Sequence, residues 1–162
     1  MLLKKFNHFL LLVAAFITLS ACANTSPGDE LHVGAIDQQT LLSQYPTFKA
    51  NYDAYDLTTE ETKLVNSLAD GYEVDVYFGT WCHDSEREVP RLLKALDKNK
   101  HITANLIALD YQKQDPQALA TKAGVKYTPT IIVKKNGVEL GRIIERPKHA
   151  TLTEDIKSFS SN

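Results

Sequence analysis

Two cysteines, Cys22 and Cys82, are the thiol nucleophiles of this 162-residue chain. Cys82 lies in the segment Val76-Tyr77-Phe78-Gly79-Thr80-Trp81-Cys82-His83-Asp84-Ser85, where a β-branched and aromatic run gives way to polar residues that suit a helix start. A cysteine at such a start faces unpaired backbone N–H groups and the positive end of the helix dipole. Both favour the thiolate, which is the form that attacks disulfides. The plain alternative is an inert, small apolar side chain. His83 can stabilise a neighbouring thiolate when protonated or pass a proton when neutral, although a solvated surface histidine needs neither role. Ser85 has two open roles: a hydrogen bond to the sulfur, or a capping box with Glu88. Asp84 suits the first turn of a helix, yet its charge opposes a nearby thiolate. Trp81 is read as a shield beside the site. Cys82, His83 and Asp84 are ligand types, but neighbours at one helix start do not converge on an ion. With His32, His101 and His149 scattered singly, no metal is expected.

The cysteine count excludes a disulfide scaffold and a four-thiolate zinc site, and leaves one bridge arithmetically possible. The first 30 residues bear on that bridge. Lys4 and Lys5 form a positive start, and Phe9 to Leu19 forms an apolar run too short for a membrane span of about 20 residues. Leu19-Ser20-Ala21-Cys22 follows and resembles the bacterial lipobox; an ordinary signal peptide with a chance cysteine is the plain alternative. The resemblance implies that residues 1–21 are removed as a lipoprotein signal and that lipid is attached to the Cys22 sulfur. Cys22 then anchors the protein in a membrane and is lost to disulfide chemistry. Ala23, where an Asp would retain a lipoprotein in the inner membrane, points to the outer membrane and a site facing the periplasm. Asn24 to Glu30 is polar with Ser, Pro and Gly, and reads as a tether.

The remaining chain divides into a helical extension over 31–70 and a domain over 71–162. Gln38 to Tyr45 reads as a short helix stopped by Pro46. Thr58-x-x-Glu61 has capping-box spacing and predicts a helix from about Thr59 to Ala69, ended by Asp70-Gly71. Val74 to Phe78 predicts a strand. Ser85 to Lys98 predicts a helix through Val89, Leu92, Leu93 and Leu96. Ile102 to Leu109 is a second strand, and Asp115-Pro116 with Gly124 brackets a further helix. Thr130 to Val133 is a third strand, joined by the Asn136-Gly137 turn to Val138 to Ile144. Thr151 to Phe159 closes the chain as a helix. The order β-α-β-α-β-β-α predicts an α/β domain with a mixed central sheet flanked by helices.

That order, the Trp81-Cys82 pair between strand and helix, Pro90 eight residues on, and Thr128-Pro129 just before the third strand together resemble the thioredoxin superfamily, over about Val74 to Phe159. The resemblance implies a thioredoxin-like fold, a catalytic Cys82 and a cis-proline loop at Thr128 and Pro129 that presents backbone to an extended substrate. The chain departs from the Cys-x-x-Cys pattern at Ser85, a hydroxyl that cannot attack a mixed disulfide. The buried acid of thioredoxins falls at Val76, with Asp75 one residue off and on the opposite face. Their buried lysine falls at Leu106. What remains is a monothiol cycle like that of Cys-x-x-Ser glutaredoxins. Cys82, assisted by Trp81, His83 and Ser85, would act on disulfides of extracytoplasmic proteins or small thiols. A redox-inactive, thioredoxin-fold protein- or peptide-binding lipoprotein is the alternative from a different class. A thiol peroxidase is disfavoured, because the chain shows no separate peroxide-activating Thr and Arg set around the cysteine. No cofactor is expected, and a net charge of −2 gives no reason to expect a nucleic-acid partner.

Overall fold

The computed structural model describes residues 31–68 and 70–160. The signal, Cys22 and the tether read from the sequence lie outside them. Elements follow in the order β1 (Gly34–Ile36), α1 (Gln38–Gln44), α2 (Pro46–Ala54), α3 (Thr59–Asn66), β2 (Tyr72–Phe78) and α4 (His83–Leu96), then β3 (Thr103–Ala108), α5 (Leu119–Lys122), β4 (Thr130–Lys135), β5 (Val138–Ile144) and α6 (Leu152–Phe159).

The period of two along β2 decides how the sheet is covered. Tyr72, Val74, Val76 and Phe78 point to one face and enter the main core with Leu106, Ala108, Ile131 and Val133. Helices α4 and α6 cover that face, with α2 against α4 and α3 against both. The five strands run in the order β1-β3-β2-β4-β5. Among the described strands only β2 and β3 are parallel, and α4 makes the crossover that a parallel pair requires. The sheet is therefore mixed and flanked by helices, as expected.

The extension over 31–70 is built into the fold and is not wholly helical. Gly34–Ile36 pairs antiparallel with β3 and forms an edge strand. Three residues are too few to show a period in the sequence. Pro46 stops α1 but also opens α2, because a proline at the first helical position loses no hydrogen bond. Phe48 of α2 is fully buried, edge-on to Tyr45 and Phe78 with ring centroids 6.1 and 5.8 Å apart. The Thr58–Glu61 capping box forms in both directions.

Two further boundaries move for reasons of capping. Helix α4 starts at His83 because Cys82 is its N-cap. Ser85 is then the third helical residue, so the Ser85–Glu88 capping box does not form. Glu88 is buried and accepts hydrogen bonds from Arg87 and Arg91 instead. Asp115 does accept backbone N–H groups, from Gln117, Leu119 and Ala120. The helix it serves is only four residues long and begins after Ala118, which sits at φ 54°. The Asn136-Gly137 turn places both residues at positive φ, 50° and 78°, as the tight hairpin between β4 and β5 requires.

Candidate active site around Cys82

Strand β2 ends at Phe78, whose carbonyl accepts Leu109 N–H at 2.7 Å. The chain then turns through Gly79. The Gly79 carbonyl accepts Cys82 N–H at 3.1 Å, and the Gly79 N–H donates to Ser85 Oγ at 3.3 Å. The indole of Trp81 lies against Gly79 so closely that an added Cβ would stand 2.6 Å from Trp81 Cε2. Glycine here is a packing requirement. Trp81 Nε1 donates to Leu109 O at 3.0 Å, and the Tyr111 ring lies over the indole with centroids 5.0 Å apart. Lys113 Nζ stands 5.9 Å from the indole centre.

Cys82 is partly exposed at the N-terminus of α4. Its thiol donates to the carbonyl of Thr128 at 3.2 Å. The Thr128–Pro129 peptide is cis. The structure thus joins Cys82, Trp81, Thr128 and Pro129 at one end of the sheet. The Thr128 side chain is buried, while the adjacent Tyr127 is exposed beside the site. The Pro129 carbonyl accepts Glu145 N–H at 2.7 Å, and Thr130 Oγ1 donates to Tyr127 O at 2.7 Å, so the loop is tied on both sides.

Two residues read from the sequence sit elsewhere than the sulfur. His83 is 89% exposed, and its ring approaches Glu86 at 3.6 Å. Ser85 is fully buried and spends its hydroxyl oxygen on Gly79 N–H, which makes it a clamp on the turn. Asp84 pairs with Arg87 at 2.7 Å. The hydrogen bonds from the Arg87 side chain to Glu88 and Asp84 push the guanidinium pKa upward. Val76, at the position of the thioredoxin acid, is fully buried among apolar residues. Leu106, at the position of the lysine, is buried too. Asp75 lies on the other face, bonded to Asn105 and Lys134. Among the described residues, no group of three or more His, Cys, Asp or Glu side chains is placed to hold a metal ion.

Sequence reasoning passed over Gly79, Tyr111 and Lys113. The last two belong to a loop closed by Asp110, whose backbone N–H donates to Gln114 O and whose carboxylate accepts Gln114 N–H. Lys113 in that loop has φ 63°. A glycine two residues before the tryptophan was the available signal for Gly79.

The sequence also matches a family model. The model described as thioredoxin covers residues 36–157. The chain belongs to the thioredoxin family. Among solved structures it is similar to PA1234 of Pseudomonas aeruginosa, a protein of unknown function, with 17% identity and a TM-score of 0.58. That match covers 78% of this chain and 81% of the other. An HIV epitope-scaffold protein is 16% identical with a TM-score of 0.55, covering 76% and 84% of the two chains. Thioredoxin f2 of Chlamydomonas reinhardtii is 15% identical with a TM-score of 0.40, covering 51% and 73%. No curated protein matches the sequence. At these identities the first two neighbours speak for the fold alone. The family match beginning at residue 36 takes in α1 to α3, which the sequence reading set apart as an extension.

Proposed function

We propose that this protein is an extracytoplasmic thiol–disulfide oxidoreductase of the thioredoxin family, acting through Cys82 alone. The observation that carries the reading is the placement of the Cys82 sulfur at the N-terminus of α4, 3.2 Å from the carbonyl before Pro129, with Ser85 one turn along. In the forward step the Cys82 thiolate attacks one sulfur of a substrate disulfide. A Cys82–substrate disulfide forms, the substrate's own bond breaks, and the leaving thiolate takes up a proton. An external thiolate then attacks the substrate sulfur of that mixed disulfide. The result is a new substrate–thiol disulfide and reduced Cys82: the external thiol enters a disulfide as one substrate thiol is released, so the number of disulfides is unchanged. Trp81 and the Thr128–Pro129 loop flank the approach. Anchoring through lipid on Cys22, in a membrane bordering the periplasm, rests on the lipobox resemblance.

The test is trapping. Mixed disulfides isolated from cells under non-reducing conditions should contain Cys82 and vanish in a Cys82→Ser variant. Absence of any Cys82 adduct, together with unchanged cellular behaviour of Cys82→Ser, would overturn the redox reading.

One observation favours the binding-module reading. The sulfur is held as a donor to Thr128 O and makes no capping bond to the α4 N–H groups. Before attack it must turn away from that carbonyl. A protein that binds without redox chemistry would keep its partner unchanged by Cys82→Ser.

A further inference from the structure

We propose that the groove on the second face of the sheet binds a small amine-bearing organic molecule with an apolar body and an acceptor oxygen. The long helices α4 and α6, with α2 and α3 packed on them, lie on the first face. The four-residue α5 contributes Ala120 to the small cluster on the other face. Beside that cluster lies a cavity of about 820 Å³, within the roughly 300–1,000 Å³ of small-molecule sites. Cys82 is not among its lining residues.

The floor of the groove is polar and carries an open valence. Asp75, 6% exposed, accepts Asn105 Nδ2 at 2.7 Å and also Lys134 Nζ. Tyr77 beside it is 5% exposed and lines the same cavity. Among the described residues its hydroxyl has no hydrogen-bond partner. No fully buried side-chain oxygen among the described residues lacks a partner, so this hydroxyl opens into the groove. Burial and the neighbouring Asp75 charge push the phenol above its ordinary range, so it stays a neutral O–H donor. An acceptor oxygen on a ligand would complete it.

Charge chooses the other end of the ligand. The lining carries the carboxylates of Asp37, Glu73 and Asp75 against the one ammonium of Lys134. Asp37 accepts the backbone N–H and hydroxyl of Thr40, and Asp75 is matched by Lys134. The surplus is negative, which disfavours an anion and attracts an amine to Glu73. Ile107 and the exposed Leu119 supply apolar wall for the body between.

The test uses L-leucyl-L-phenylalaninamide, which has an amine, carbonyl oxygens, apolar side chains and no carboxylate. Titrated into the isotope-labelled protein, it should give saturable amide shifts at Asn105, Ile107 and Lys134. Tyr77→Phe, which removes only the hydroxyl, should weaken binding about fivefold, in line with one hydrogen bond. Glu73→Gln should weaken the amide while leaving its N-acetyl derivative unaffected, and this arm stands even where Tyr77→Phe disturbs folding. Absence of saturable shifts at millimolar probe, equal binding by both variants and the parent, or occupation of this face by a second copy on concentration would overturn the proposal.

Discussion

Cys82 and Ser85 stand one turn apart on α4, yet they do different jobs. Ser85 is fully buried and clamps Gly79 N–H, while Cys82 faces the Thr128 carbonyl. Changing Ser85→Cys places a thiol of similar size where a resolving cysteine belongs. The variant should release trapped partners by closing a disulfide between Cys82 and the introduced thiol, so mixed disulfides should fall several-fold on non-reducing gels. Unchanged accumulation would show that the buried position cannot reach the sulfur. Much of the site was legible at this scale. Trp81, Cys82 and the Thr128-Pro129 pair stood out because their spacing fits one strand, one helix start and one loop. The work of Ser85 was not legible. A Ser-x-x-Glu pattern reads as a capping box whichever residue caps the helix, and only the observed N-cap at Cys82 decides. Tyr111 was hidden for another reason: its stacking on Trp81 depends on a loop geometry set by Asp110, three-dimensional information that no period announces.

At the scale of elements, the extension over 31–70 is part of the core. Phe48 of α2 is fully buried against Phe78, the residue that ends β2 just before the turn leading to Cys82. Phe48→Ala should cost about 3–5 kcal/mol by chemical denaturation, as for other buried aromatic truncations. A loss under about 1 kcal/mol, the scale of an ordinary surface change, would mean that α2 is peripheral. Polar contacts reinforce the join. Tyr52 of α2 donates its hydroxyl to Asp97, the C-cap of α4, which also accepts Gln38 Nε2 at 3.0 Å. Burial first, then the hydrogen bond and charge of Asp97, push Tyr52 up to about 12. The unfolded chain loses this proton near pH 10, before the folded protein does. The unfolded state then binds fewer protons, so stability falls as pH rises from about 10 toward 12. Tyr52→Phe should flatten that part of the stability curve, measured by denaturant midpoint against pH; an equally steep fall would assign it elsewhere. The sequence marked the periodic helices and the Asn136-Gly137 hairpin well, because each carries its own local rule. It hid β1, which is only three residues long and exists through pairing with β3. It overstated α5, because Asp115-Pro116 reads as a helix start whether a turn or a full helix follows.

The whole molecule is a thioredoxin-family sheet covered unequally. One face carries the main core under α4 and α6, backed by α2 and α3, while the other has α5 and a groove. One end of the sheet gathers the Cys82 thiol, the Trp81 indole and the proline loop, with no second described thiol. That combination makes a specific statement about the product of disulfide attack: it should form at Cys82 and persist. The direct measurement is intact mass of the purified protein after exposure to glutathione disulfide, followed by removal of the reagent. The account predicts a single glutathione on Cys82 that is stable on standing and is released by an added external thiol. No adduct on Cys82, or an adduct lost without added thiol, would contradict it.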